Sequence, residues 1–226
     1  MTITNLGRGL TGTTTPNSQF ATQSAKKADP ITASLQKFGS RIQAQLDTTT
    51  TNLSTLGKFK ASVVASQTAA NGLSALKENA SSQDVKKALN SFVSSYNDMV
   101  ASTQSAAAAG SGVDRISRGM SRAMTADFSR VDALRQMGFT RASDGSLKLD
   151  MAKLDQALKA SPAKVSATLN KLGSLVDKVA TRELAGDGSI QDAVNTMTAR
   201  SSNLKVQQNS LLMAAQQYAS FAQKGA

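Results

Sequence analysis

Cysteine, histidine and tryptophan are missing from the 226 residues, and only two Tyr, seven Phe and three Pro occur. Each absence removes a class of chemistry. Without Cys and His there is no zinc finger, no iron–sulfur cluster, no histidine-ligated haem, and no Cys–His or Ser–His catalytic pair. The 15 acidic residues form no dense cluster and no calcium-loop spacing. No glycine–lysine phosphate-binding motif occurs. No catalytic residue, cofactor or metal is therefore assigned, and the chain is read as a non-enzyme. No run approaches the ~18 apolar residues of a membrane span, so no membrane insertion is expected. Residues 1–15 lack a basic region followed by an apolar stretch, unlike a conventional secretory signal. A fold without Cys does not depend on oxidation and suits either cytoplasm or exterior.

What is present is unusual for a globule. Apolar residues make up 40% of the chain, but Ala alone supplies 35 residues, so only about a quarter of the chain is large hydrophobes. A compact domain of this length carries more. The expectation is an elongated subunit with narrow seams. The net charge of +11 invites a nucleic-acid reading, but the excess is diffuse. Residues 31–80 carry +3, residues 81–112 carry none, and the remaining stretches carry +2 apiece. Arg115, Arg118 and Arg122 do fall at helical spacing. Binders concentrate such a footprint, and single-strand binders add stacking aromatics. The diffuse charge reads as a solvated basic surface.

Residues 1–30 are rich in Thr, Ser, Gly and Asn and show no apolar period, which predicts a flexible arm ended by Pro30. Residues 31–80 predict one long helix. Leu35, Phe38, Ile42, Leu46, Leu53, Leu56, Phe59, Val63 and Leu73 recur mainly at three- and four-residue steps or their sum. Gly39, Gly57, Gly72 and the run of Thr at 48–51 weaken it, so it needs a partner helix. Residues 81–112 predict a second helix, with Ser82 as cap and Val85, Leu89, Phe92, Tyr96 and Met99 on its stripe, ending in a Gly110-Ser111-Gly112 joint.

Residues 113–188 predict a small helical region with one β-hairpin. Ile116, Met120, Met124, Phe128, Val131 and Leu134 continue the helical period. Residues 137–149 then switch to a hairpin pattern in which Asp144-Gly145 supplies the turn. Asp150 is read as the cap of the next helix, and Ser161-Pro162 as the start of another. Gly186-Asp187-Gly188 forms a turn, and Ser189 with Asp192 resembles a capping box. Residues 189–226 hold the cleanest period. Ile190, Met197, Leu204, Leu211 and Tyr218 recur every seven residues, with Val194, Ser201, Gln208, Ala215 and Ala222 four residues after each. This coiled-coil-like strip is expected to pack on the long N-terminal helix, so the fold class is mainly α, with long terminal helices packed together. The predicted seam is Leu35, Phe38, Ile42, Leu53, Leu56 and Val63 against Ile190, Val194, Met197, Leu204, Leu211 and Tyr218. Part of it is expected between subunits, because a two-helix seam alone buries little.

The segment 137–169 is similar to the C-terminal region of the flagellar hook-associated protein 2, or filament-cap, family. Gly138, Asp144, Gly145, Leu147, Leu149, Asp150, Leu154, Ala157, Leu158, Pro162 and Val165 match that family's strand, Asp-Gly turn, strand and Pro-containing helix in order. Residues 92–100 resemble its preceding helix, and residues 3–10 its glycine-bearing arm. Family members usually carry bulky domains between the helical halves. Here Leu76 reaches Val85 across a few polar residues, so the chain resembles a short member without them. The resemblance implies export through the flagellar type III apparatus without a cleaved signal and an extracellular location on the flagellum. It also implies homo-oligomers at the filament tip that promote flagellin assembly, contacts with flagellin or hook-associated proteins, and an export chaperone on the C-terminal helix. Two other readings stand beside it: a type III-secreted tip or adaptor coiled coil, and a basic coiled-coil nucleic-acid-associated protein.

Overall fold

The computed structural model describes residues 29–108 and 132–224. Helix α1 spans Pro30–Ser74, α2 spans Ser82–Ala108 and α3 spans Asp132–Gln136. Strands β1 (Phe139–Arg141) and β2 (Leu147–Leu149) follow, then α4 (Met151–Ala160), α5 (Pro162–Leu184) and α6 (Ser189–Lys224). Helices hold 84% of the described residues, and one antiparallel hairpin is the sheet among them. The fold is thus mainly α, as the three- and four-residue period requires. The predicted arm before Asp29, the Gly110–Gly112 joint, the Arg115, Arg118 and Arg122 row and the helix through Ile116, Met120, Met124, Phe128 and Val131 lie outside the described residues.

Pro30 opens α1, and the Asp29 carboxylate accepts from the Ile31 N–H at 3.3 Å. The helix runs through the four Thr at 48–51 without a break. Thr51 Oγ1 donates to Asp47 O at 2.9 Å and Thr55 Oγ1 donates to Thr51 O at 2.9 Å. These bonds to the carbonyl four residues back satisfy the hydroxyls inside the helix. Helix α1 stops at Ser74, six residues short of the expected end at 80.

Two caps differ from expectation. The cap of α2 is Ser81, whose Oγ accepts from the Asp84 N–H at 3.1 Å and donates to its carboxylate at 2.7 Å. That is a side-chain N-cap one residue before Ser82, in which the Asp84 carboxylate holds the capping hydroxyl. Ser161 is the N-cap of α5 with Pro162 at its first position, as expected, although the Ser161 side chain makes no cap bond. Ser189 lies inside α6 and its hydroxyl donates to Glu183, so Ser189 and Asp192 form no box. Gly188 O instead accepts from the Asp192 N–H at 3.1 Å. Asp150 does cap α4, accepting from Ala152 N at 3.0 Å and Lys153 N at 3.2 Å.

The chain divides into two units. In Leu46–Asn203, large side chains from every element pool into one core. Leu56, Phe59, Phe92, Tyr96, Leu154, Leu169 and Ile190 are fully buried in it. The apolar supply is therefore gathered in a single cluster in this unit rather than strung along a seam. Helices α1 and α5 run antiparallel and touch at their backbones: a Cβ on Gly173 would lie 2.3 Å from Ala70 O and 2.8 Å from Ser74 N. Gln67 Nε2 donates to Asp177 Oδ1 and Thr181 Oγ1, both at 2.8 Å, and Asn170 Nδ2 donates to Leu76 O at 3.1 Å. In the second unit, Met1–Gln45 with Leu204–Ala226, the first turns of α1 lie antiparallel to the end of α6. Gln208 Nε2 donates to Gln43 Oε1 at 2.9 Å, Leu211 approaches Gly39, and the Tyr218 hydroxyl donates to Asp29.

Candidate assembly surface

The terminal unit is made of two amphipathic helices, and its polar contacts sit inside the apolar row. A Gln43–Gln208 amide pair among apolar neighbours fixes register at a cost in stability, as a lone polar seam position does in a coiled coil. Leu35, Ile42, Leu211 and Tyr218 are half-buried, and Leu204 is buried. Phe38, placed on the seam by its spacing, is instead 56% exposed. It sits toward the edge of the apolar arc, and Ile31, seven residues earlier, is exposed beside it. In the larger unit Leu56, Val63, Ile190 and Met197 are buried, and Leu53 and Val194 are partly buried against the same core.

A second apolar row on α6 has no counterpart in the sequence reading. Val206 and Met213 are 63% and 64% exposed, and Phe221 is 73% exposed. Val206 and Met213 each lie two residues beyond a seam leucine, about 200° around the helix. They therefore face away from α1. The signal in the sequence was one seven-residue step, Val206 to Met213, offset by two from the seam leucines, with Phe221 eight residues further on. Five of the seven large exposed apolar side chains among the described residues, Ile31, Phe38, Val206, Met213 and Phe221, fall on this two-helix unit. Each contributes roughly 1.5–3 kcal/mol when fully buried.

The hairpin is held by side chains that local periodicity cannot reveal. Strand pairs are Phe139 with Leu149 and Arg141 with Leu147. Ala142 N donates to Ser146 O at 2.9 Å, closing the three-residue loop 143–145, and Gly145 N donates to Ala142 O at 3.0 Å. Gly145 has φ +88°, the left-handed conformation such a loop requires. Asp144 Oδ1 accepts from Ser146 Oγ at 2.6 Å and Ser146 N at 2.9 Å, and these bonds hold its carboxyl below the usual range. Asp144 and Gly145 thus do turn work here. The outer edge of β2 is occupied by Asn97 of α2. Its Nδ2 donates to Leu147 O at 3.0 Å, and its Oδ1 accepts from Leu147 N at 2.8 Å. Gln104 Nε2 also donates to Asp144 O at 3.1 Å. Phe92 and Tyr96, with ring centroids 6.1 Å apart, pack on the same helix. Burial pushes the Tyr96 hydroxyl up to about 12, against an opposing pull from Arg141.

Among the described residues, no group of three or more acidic side chains is arranged to hold a metal ion. No described helix is long and apolar enough to cross a membrane. Packed helices, a clamped hairpin and no metal cluster among the described residues fit a helical structural protein. The family model for the flagellar hook-associated protein 2 C-terminus matches residues 65–223, and the chain belongs to that family. It is a structural, flagellum-associated family. The match takes in α2, the hairpin and α4 to α6 without a long insertion between α1 and α2, which are joined by residues 75–81. No curated protein and no solved structure matches the chain.

Proposed function

We propose that this chain is a minimal filament-cap subunit. It is exported through the flagellar type III apparatus, assembles with copies of itself at the distal end of the filament, and promotes flagellin insertion there. The observation that carries this reading is the outward apolar row Val206, Met213 and Phe221 on a helix whose opposite side is already covered in a chain of this family. That row is the surface offered to neighbouring subunits, flagellin or hook-associated proteins. Before export, the same C-terminal helix is the segment an export chaperone would cover. The seam residues Leu35, Ile42, Leu204, Leu211 and Tyr218 give the terminal unit its register, and Phe38 belongs to the intermolecular part. The test is an epitope-tagged chain followed by gold labelling of filaments in the electron microscope. Label confined to distal tips supports the reading. Label along the whole shaft, or only at the cell-proximal end, overturns it.

A further inference from the structure

The solvent face of α5 carries a row of three lysines. Lys164, Lys171 and Lys178 are exposed and stand seven residues apart. On one helix this spacing sets them about 10.5 Å apart along a nearly straight line. No Asp or Glu stands three or four residues from any of them, so none has a helical ion-pair partner. No ion pair among the described residues involves them. The two acidic residues of α5 are engaged elsewhere: Asp177 accepts from Gln67 of α1, and Glu183 pairs with Arg182 at 2.9 Å. At about a Debye length apart, the three ammonium groups repel one another little.

We propose that this face docks an acidic helical segment of another protein. A helix laid alongside α5 has the same rise per residue, so carboxylates at successive seventh positions meet all three lysines in register. Nucleic acid matches poorly. Phosphates repeat at about 3.4 Å along one strand, so the row would meet only every third one. No aromatic side chain lies in the row to stack a base. A second copy of this chain does not supply the complement, because no two of its acidic residues stand seven apart. The face lies within Leu46–Asn203 and includes none of the residues named for filament assembly, so the two proposals fail independently.

The test uses the full chain and a labelled synthetic Ala-rich peptide longer than ~15 residues, so that it is helical alone, with Glu at three successive seventh positions. A peptide with Gln at those positions and a short DNA duplex are compared by fluorescence anisotropy. The Glu peptide should bind at low salt and release at high salt. The double variant Lys171→Glu, Lys178→Glu should weaken it at least ~10-fold, with circular dichroism and thermal midpoint unchanged. Absence of Glu-peptide binding overturns the proposal. So does equal binding of the Gln peptide, equal binding to the double variant, or tighter binding of the duplex.

Discussion

Gly173→Ala tests how closely α1 and α5 approach. The added Cβ would fall 2.3 Å from Ala70 O, 2.5 Å from Ser74 Oγ and 2.8 Å from Ser74 N. The Ser74 hydroxyl can rotate, but the two backbone atoms cannot. Reaching an ordinary contact requires the helices to separate by roughly 1 Å, which forfeits a quarter to a half of the dispersion attraction at the crossing. It also stretches the Gln67–Asp177 and Asn170–Leu76 hydrogen bonds on either side. Overpacking of this kind costs about 1–3 kcal/mol. Replacing a helical Gly by Ala returns up to ~1 kcal/mol of helix propensity. The expected net effect is a destabilisation of about 1–2 kcal/mol. Gly57→Ala and Gly72→Ala are the controls. Nothing lies within 4 Å of either added Cβ, so only the propensity gain remains and both should stabilise by up to ~1 kcal/mol. Urea unfolding followed by circular dichroism reads all three, with the midpoint moving and the slope constant. A Gly173→Ala midpoint equal to the controls would refute the backbone crossing.

Asn97→Ala strips both hydrogen bonds from the Leu147 backbone, at a cost of about 2 kcal/mol, and hydrogen exchange at the Leu147 amide should accelerate while α5 amides exchange only as global stability dictates. Tyr96 has a raised folded value, so its stability contribution is complete below pH 10 and is lost as pH rises through about 12. That is about 3 kcal/mol over the window, so stability measured from pH 9 upward should fall more steeply for the natural chain than for Tyr96→Phe. Replacing Leu204 and Leu211 together with Asp should lower helix content and remove any oligomer in native mass spectrometry; unchanged assembly would show that the terminal strip is not the organising seam.

Local and periodic features were legible before the structure. The seven-residue repeat identified the covered side of α6, and the Asp144-Gly145 pair located the turn, because both depend on residues near in sequence. The α2 cap shows the limit of that reading. Ser81 and Ser82 are equally good caps by type, and the choice falls to Ser81 because Asp84 stands three residues on and binds its hydroxyl through both N–H and carboxylate. Gly173 gave no local signal, since its meaning depends on Ala70 a hundred residues away. The Asn97 clamp has the same character, as an exposed-looking amide on a helix becomes a strand partner only once β2 is beside it. Phe38 shares the period of its neighbours, but period alone does not separate the covered centre of a stripe from its exposed edge.

Deleting the gene and measuring flagellin in the culture medium against filament length tests the central claim most directly. Cells without a filament cap shed unassembled flagellin and build no full-length filament, and both defects should be reversed by the natural chain and not by a Val206→Asp, Met213→Asp variant. Full-length filaments without flagellin leakage would contradict it.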